Sequence, residues 1–387
     1  MADTILILGN GFDIAMGRKT KYTDFIEFEK HLYSNPDNEL QEFLKSKGID
    51  IDKYRDNLYL KFINENRDIL GKNWSNLEIM ISNLADAIMY FKENSDLLYV
   101  AHYNEYNQKY RNTEKVIEQL QINNNYGAKL FILKSFLKLS GKMGWRHIER
   151  EYALEQFNNV FIEQLDLLIE LLELYLSYID YLDFEVRKIG VSSTALDAIP
   201  DLSNSYVLNF NYTNTTGHLF DTSEERTHFI HGRIDLDRTI SRINTMVFGI
   251  EDKENNVNSD LIPYQKYYQR VLKETGNQYE DFFKRQINFE NDNYMTPYSV
   301  SKNIVIFGHS VDPLDKEIFQ KCFELGNSKE FKSRFIFTYY DEFVKRSVIK
   351  NLAIIIGKDK LVELTGKKKV VFVQSGDIDR MRQVLLP

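Results

Sequence analysis

Cysteine is almost absent from this chain of 387 residues, which contains only Cys322. A single cysteine excludes an internal disulfide and any zinc module built from several cysteines. The chain also has no excess of positive charge, since its formal net charge is −8. An acidic chain lacks the electrostatic footprint of a protein that binds a nucleic acid duplex. The sequence therefore predicts no disulfide framework and gives no strong nucleic-acid signal.

A long uninterrupted hydrophobic run is also missing. Segment 160–178 is rich in leucine, but Glu163, Asp166, Glu170 and Glu173 interrupt it every three or four residues. Acidic residues at that spacing predict an amphipathic helix with one solvated face rather than a membrane span. The chain opens directly into an apolar strand, without a charged leader or a cleavage-like site. We therefore expect no signal peptide, no membrane contact and a cytoplasmic location.

Proline does not occur between Pro36 and Pro200. Long helices require such a composition, because proline breaks a helix interior. A capping box at 75–78 starts one run of apolar residues with helical spacing, and further runs follow at 116–121, 128–139, 145–157 and 161–176. We predict helices nearly throughout 40–189 and assign residues 39–195 to a helical insertion domain.

Segments of β-prone apolar residues flank this insertion. We predict strands at residues 4–8, 205–209, 227–230, 246–250, 303–307, 334–339 and 370–374. Helices are predicted at 264–283 and 342–356, and loops at 252–260 and 288–298. The alternation favours an α/β fold with a Rossmann-like, mostly parallel sheet and a large all-helical insertion after the first strand. Residues 1–38 and 196–387 would form the sheet domain.

Polar turns follow three of the predicted strands. They comprise residues 9–11 after the first strand, residues 209–213 after the second, and residues 308–310 after the strand at 303–307. In a parallel sheet the carboxyl ends of the strands open on one edge, where ligands bind. Glycine allows a ligand to come close, and backbone N–H groups in such turns can face a phosphate. The three turns together predict a nucleotide site.

Asn211 and His231 are the candidate catalytic residues at this edge. Each follows a short apolar strand, and about twenty residues, a typical crossover length, separate them. Gly232 removes side-chain bulk where a sugar could come close. Structural roles stay open for two of these residues. An asparagine at a strand end often caps the next helix, and Asp13 could either contact a ribose hydroxyl or cap the segment after it.

The predicted nucleotide contacts are the other glycine, polar and aromatic positions in and after these turns. They are Gly9, Asn10, Gly11, Phe12, Asp13, Asn209, Tyr212, Thr213, Gly232, Gly308, His309, Ser310 and Asp315. No metal site is predicted.

Segments 6–13, 209–213, 230–232 and 307–310 resemble motifs of the AbiH family of bacterial phage abortive-infection proteins. Their order and spacing also resemble a divergent sirtuin-like domain of the kind that hydrolyses NAD in antiphage defence. This second resemblance implies that the glycine turn holds the diphosphate and that the segment around Asn211 meets the nicotinamide ribose. It also implies a catalytic role for His231 and a phosphate or ribose contact for the segment that contains Ser310.

Two departures from the sirtuin-like pattern limit what it implies. Thr213 stands where that pattern usually has an acid. Deacylating sirtuins carry a four-cysteine zinc ribbon after the histidine, and a chain with one cysteine cannot build it. The resemblance therefore disfavours protein deacylation and leaves NAD cleavage open.

The first functional hypothesis is an abortive-infection effector that hydrolyses NAD to ADP-ribose and nicotinamide, with NAD as substrate rather than cofactor. His231 would accept a proton near neutral pH. Asn211 would hold the ribose hydroxyls and the water through its amide donor and acceptor. The helical insertion is expected to gate the crevice or to assemble a homo-oligomer.

Two alternatives use the same crevice differently. A non-catalytic sensor would bind NAD or ADP-ribose without consuming it, and the missing acid at Thr213 favours this hypothesis. A third kind of protein would hydrolyse another nucleotide.

Overall fold

The computed structural model describes residues 3–34, 36–67, 74–98, 110–122, 124–143, 149–250, 260–284, 300–328 and 331–387. The chain forms two compact units. The sheet unit comprises Met1–Leu40, Glu173–Met246 and Lys273–Pro387, and the helical unit comprises Gln41–Leu172 and Val247–Leu272. The domain boundaries inferred from the sequence stay a prediction. The loop expected at 288–298, most of the one at 252–260 and residues 145–148 of an expected helix lie outside the described residues.

Six parallel strands form one sheet. They are β1 (Asp3–Leu8), β2 (Tyr206–Asn209), β3 (Thr227–Phe229), β4 (Val300–Phe307), β5 (Phe331–Tyr339) and β6 (Val370–Gln374). Their order across the sheet is β3-β2-β1-β4-β5-β6, and each neighbouring pair is parallel. This confirms the predicted α/β fold. From β1 the chain builds the sheet in one direction, to β2 and β3, and from β4 it builds it in the other, to β5 and β6. Doubly wound sheets with this strand order bind dinucleotides at the junction between β1 and β4.

The α-helices of the described residues are numbered along the chain. They are α1 (Asn10–Ala15), α2 (Tyr22–Ser34), α3 (Asn38–Lys47), α4 (Leu58–Glu65), α5 (Trp74–Glu93), α6 (Tyr110–Gln121), α7 (Tyr126–Met143), α8 (Arg150–Asp180), α9 (Thr215–Phe220), α10 (Lys266–Leu272), α11 (Lys316–Gly326), α12 (Glu342–Ile356), α13 (Lys358–Gly366) and α14 (Ile378–Val384). Helices α1 to α8 separate β1 from β2, as a helical insertion after the first strand requires. None of the described helices combines the length and apolar composition that crossing a bilayer needs.

The ends of four strands are aligned. Leu8 pairs with Asn209 on one side and with Phe307 on the other, and Asn209 pairs with Phe229. The segments that follow these strands therefore start at one edge of the sheet, which we call the carboxyl edge. Buried apolar clusters cover the two faces of the sheet. A ligand is therefore expected at the carboxyl edge rather than on a face.

The predicted strand at 246–250 is wrong. The backbone of Phe248 pairs with the side chain of Gln269, which accepts from its N–H at 2.9 Å and donates to its C=O at 3.1 Å. Ile250 makes an isolated parallel bridge to Gln265. Hydrogen bonds from a distant side chain therefore replace the sheet ladder that the β-prone composition suggests.

Two other local structures differ from the prediction. The single helix expected at 264–283 is divided, since α10 ends at Leu272 and a 3₁₀-helix at Gln278–Phe283 follows later in the chain. Gly276 lies between them at φ +68°, a left-handed conformation that interrupts a helix. The turn expected at 9–11 is mostly helical, because α1 begins at Asn10.

Candidate active site at the carboxyl edge of the sheet

The turns that follow β1 and β4 pack directly against each other. The N–H of Gly9 donates to the carbonyl of Phe307 at 3.0 Å, and the N–H of Gly11 donates to the carbonyl of Gly308 at 2.8 Å. A Cβ on Gly9 would lie 2.7 Å from the Cα of His309, and one on Gly11 would lie 2.7 Å from the Cα of Gly308. These glycines therefore permit contact between two parts of the chain.

This packing bears on the expected phosphate contact. The N–H groups of Gly9 and Gly11 donate within the chain, and that of Phe12 donates to the carbonyl of Gly9 at 2.9 Å. Gly308 has φ +70°, and a Cβ there would overlap the amide nitrogen of Phe12. Backbone groups that already have protein partners do not support a phosphate cradle, so this role stays a prediction.

Gly232 is also closely approached by the chain itself. Its φ is +73°, and a Cβ there would overlap the carbonyl oxygen of Thr245. Two bonds hold Thr245 in place: its hydroxyl accepts from the N–H of Arg233 at 3.2 Å and donates to the carbonyl of Arg233 at 3.1 Å. The space expected for a sugar beside His231 is therefore filled by the returning segment.

Asn211 lies against the turn that follows β1. Its Nδ2 donates to the carbonyl of Gly9 at 3.1 Å and to Oδ1 of Asp13 at 3.4 Å. Asn209 supports it, since its Oδ1 accepts from the backbone N–H of Asn211 at 2.9 Å. The cap of α9 is Asn214, whose side chain accepts from the N–H of Gly217. The capping alternative for Asn211 is therefore wrong.

Asp13 is buried beside Asn211, with only 1 % of its surface exposed. Its Oδ2 accepts from the hydroxyl of Thr213 at 2.5 Å and lies 3.6 Å from a guanidinium nitrogen of Arg18. Burial raises the pKa of Asp13, while Arg18 and the hydroxyls of Thr213 and Thr215 oppose that rise. An acid therefore does lie next to position 213, and it comes from the segment after β1.

His231 and His309 share the carboxylate of Asp315, and we call these three residues the His–Asp–His cluster. Nε2 of His231 lies 3.1 Å from Oδ1 of Asp315, and Nε2 of His309 lies 3.6 Å from Oδ2. The three side chains are between 6 % and 11 % exposed. The N–H of Val311 donates to Nδ1 of His309 at 2.8 Å. Neutral His309 therefore carries its proton on Nε2, facing Asp315.

This cluster can orient a general base. When Nε2–H of His231 donates to Asp315, Nδ1 of His231 keeps the lone pair that accepts a proton. The carboxylate then stabilises the imidazolium that forms. Phe210 fixes the rings further, with centroids 5.4 Å from His231 and 4.3 Å from His309 in edge-on contacts. The sequence predicted Asp315 and His309 only as nucleotide contacts, because 84 residues separate Asp315 from His231.

Two of the predicted ligand contacts are engaged elsewhere in the chain. The amide of Asn10 donates to the carbonyl of Thr20 at 3.0 Å and accepts from its hydroxyl at 2.7 Å. The ring of Phe12 packs in the core, 6.1 Å from Phe220 and 6.0 Å from Phe307 between centroids. Both side chains therefore hold α1 in place.

Tyr212 and Ser310 lie at the carboxyl edge, and the backbone carbonyl of each accepts a hydrogen bond. The carbonyl of Tyr212 accepts from the N–H of Ile234 at 3.0 Å. The carbonyl of Ser310 accepts from Nδ2 of Asn351 at 3.1 Å, and its side chain is exposed. Ser310 is therefore open to a ligand from solution, and its contact with phosphate or ribose stays a prediction.

Arg18 was not singled out from the sequence. Its guanidinium is buried and bonds to Asp180, Asp183 and Thr215, with Nε 3.0 Å from Oδ2 of Asp183. Burial raises the pKa of Asp180 to about 6, against the opposing effect of Arg18. Asp183 belongs to a π-helical segment, Tyr181–Val186, that continues α8. A lone arginine in a loop gives no sequence signal for partners more than 160 residues away.

The prediction that Glu173 lies on the solvated face of its helix is wrong, because its side chain is buried and binds several groups of a neighbouring loop. It accepts from the N–H of Asp235 at 2.9 Å, from two nitrogens of Arg238 at 2.7 and 2.8 Å, and from Nδ2 of Asn244 at 2.9 Å. These bonds fix the loop that runs from position 233 to Thr245. Thr245, at the end of this loop, packs against Gly232. Glu173 therefore helps to fix the backbone next to His231.

Among the described residues, no group of three or more His, Cys, Asp or Glu side chains is arranged to hold a metal ion. A family model described as "Bacteriophage abortive infection AbiH" matches residues 5–339. The match contains every residue of the candidate site. Comparison with curated proteins and with solved structures gives no match.

Proposed function

The chain belongs to the AbiH family of bacteriophage abortive-infection proteins, and from this premise we propose that it hydrolyses NAD at the carboxyl edge of its sheet. Family membership implies a role in defence against phage. The proposed reaction breaks the bond between nicotinamide and ribose C1′ and forms a bond from C1′ to a water oxygen. One proton leaves the water, and the products are ADP-ribose and nicotinamide.

The observation that carries the proposal is the contact between His231 and Asp315. A histidine oriented by a largely buried carboxylate is a suitable general base for a water molecule. It lies at the carboxyl edge of a sheet whose strand order is that of dinucleotide-binding folds. The resemblance of the four short motifs to sirtuin-like NAD hydrolases narrows the nucleotide to NAD.

Three residues take part in this reaction: His231, Asp315 and Asn211. Nδ1 of His231 is covered from bulk solvent, so it would accept the proton of a water bound inside the site, and Asp315 stabilises the imidazolium. Asn211 binds the ribose beside C1′, where an oxocarbenium-like charge develops. Because a positioned general base contributes about 10²- to 10⁴-fold in rate, loss of His231 is expected to remove most turnover.

A specific observation favours a second candidate function, a sensor that binds NAD or ADP-ribose without cleaving it. The hydroxyl of Thr213 and Nδ2 of Asn211 are both occupied by Asp13. A site whose polar side chains hydrogen-bond to each other is rigid, and a rigid site suits binding a ligand rather than cleaving it. Such a sensor would still need the carboxyl edge, so the same residues would bind the ligand.

Purified protein incubated with NAD separates these functions. We expect the wild-type protein to release nicotinamide, measured by chromatography, and His231→Ala and Asp315→Asn to release at least about a hundredfold less. His31→Ala and Asp379→Asn are matched controls, since both residues are exposed on helices outside the candidate site. Binding of NAD without nicotinamide release would establish the sensor instead. If NAD neither binds nor is consumed, NAD is not the ligand.

A further inference from the structure

The side-chain amide of Asn211 has a fixed orientation. An amide carries two N–H donors and one carbonyl acceptor. The two partners of Nδ2, the carbonyl of Gly9 at 3.1 Å and the carboxylate of Asp13 at 3.4 Å, are both acceptors. A flipped amide would set Oδ1 against these same acceptors and lose both bonds. The nitrogen therefore faces the turn after β1, and Oδ1 faces away from it.

Asp13 is itself held so that it cannot turn away from Asn211. The hydroxyl of Thr213 donates to its Oδ2 at 2.5 Å, and Arg18 lies 3.6 Å from the same oxygen. Arg18 is fixed in turn by Asp183 at 3.0 Å. Thr213 and Arg18 both present donors to Oδ2 of Asp13, so that oxygen faces them as an acceptor and Oδ1 faces Nδ2 of Asn211. The direct contacts of Asp13 with Thr213 and Asn211 therefore determine which atom of Asn211 a ligand meets.

We propose that Asp13 is a specificity-determining residue, which turns Asn211 so that the site selects a hydrogen-bond donor on its ligand. The proposal rests on the function proposed above, because it takes the ligand to be NAD or ADP-ribose. The donor is then a hydroxyl of the ribose that carries nicotinamide. Asn211 is buried, so a ligand without that hydroxyl leaves Oδ1 desolvated and unpaired. The expected loss of affinity is about tenfold.

The test measures a ratio of affinities rather than an affinity. ADP-ribose and its analogues that lack the 2′- or the 3′-hydroxyl of the terminal ribose are titrated into the protein by calorimetry. We expect the wild-type protein to bind ADP-ribose about tenfold more tightly than one of the analogues. In Asp13→Asn the substituted amide can offer a donor, which allows Asn211 to turn, and the ratio falls toward one.

Two further variants separate this role from a structural one. Asp183→Asn removes one partner of Arg18, which Asp180 and Thr215 still bind, and leaves the contacts of Asp13 with Thr213 and Asn211 in place. The ratio should therefore stay near tenfold even if stability falls. Thr213→Val leaves Asp13 in place but removes the hydroxyl that holds it, so the ratio should fall. This variant supplies the test if Asp13→Asn does not fold.

The outcomes are distinct. If the wild-type protein binds ADP-ribose and both analogues equally, Asn211 does not select a donor and the inference is wrong, while the NAD proposal stands. A ratio that persists in both Asp13→Asn and Thr213→Val also overturns it. If the wild-type protein binds neither NAD nor ADP-ribose, the proposed function fails and this inference fails with it.

Discussion

Replacing Gly232 by alanine tests the finding that the chain itself, rather than a ligand, fills the space beside His231. The residue has φ +73°, which side chains rarely adopt, and its new Cβ would overlap the carbonyl oxygen of Thr245. The same Cβ would lie 3.0 Å from the amide nitrogen of Met246. Both are backbone atoms, so no side-chain rotation can relieve the contact.

The expected loss of stability in Gly232→Ala has two parts, the strain of a left-handed backbone and the overlap of the new Cβ with its neighbours. An alanine in the left-handed region costs roughly 1–2 kcal/mol. Forcing an additional carbon into packed structure typically costs about 1–3 kcal/mol more. Gly17→Ala is the matched control, because Gly17 has φ +82° and no atom within 4 Å of its ideal Cβ. The effect of alanine on the unfolded chain is common to both variants and cancels in the comparison.

Unfolding in urea, followed by far-ultraviolet circular dichroism, measures the difference. Gly17 and Gly232 both belong to the sheet unit, so the two variants report on the same unit. We expect Gly232→Ala to be less stable than Gly17→Ala by about 1–3 kcal/mol, because only the first has the overlap. Equal free energies of unfolding would refute the reasoning that Thr245 occupies this space.

Three further results are expected. Asp315→Asn should abolish protection against phage in a plating assay while Asp379→Asn retains it, because only the first disorients His231; protection by both variants would contradict this. Folding raises the pKa of Asp180 from 3.8 to about 6. The unfolded chain therefore loses this proton at a lower pH than the folded chain, and the free energy of unfolding falls as pH rises from about 4 to 7. The loss reaches about 3 kcal/mol at neutral pH. Asp180→Asn lacks this titration, so its free energy of unfolding should rise relative to that of the wild-type protein as pH increases from about 4 to 7. If the difference between the two proteins does not change with pH, this carboxyl does not titrate in that range. Gly11→Ala should reduce thermal stability, since its Cβ would lie 2.7 Å from backbone; an unchanged melting temperature would show that the two turns yield easily.

Much of the fold could be predicted from local patterns. The strand at Val370–Gln374 and the helix at Glu342–Ile356 have the expected bounds. The strand is a continuous apolar run, the helix has apolar residues at helical spacing, and both end at clear breaks, which are properties of a short stretch of sequence. The false strand at 246–250 has the same local signal. It fails because the side chain of Gln269, 21 residues later, satisfies the backbone of Phe248.

The candidate site was predictable only in part for the same reason. That the segments of Asn211 and His231 would share an edge follows from strands that end in register. The contacts of Asp315 with His231 and of Arg18 with Asp183 join residues 84 and 165 positions apart, and no local pattern reports them. Glycines in a turn indicate close approach, but the approaching atom can belong to a ligand or to the chain.

NAD measured in bacteria during phage infection tests the central claim most directly. Cells that carry the wild-type protein, His231→Ala or the control His31→Ala are infected and sampled for NAD and for growth. We predict that NAD falls and growth stops with the wild-type protein and with His31→Ala. With His231→Ala, NAD should stay level and phage should multiply. If NAD stays level in cells whose wild-type protein still blocks phage, the protein defends by a different reaction and the account is contradicted.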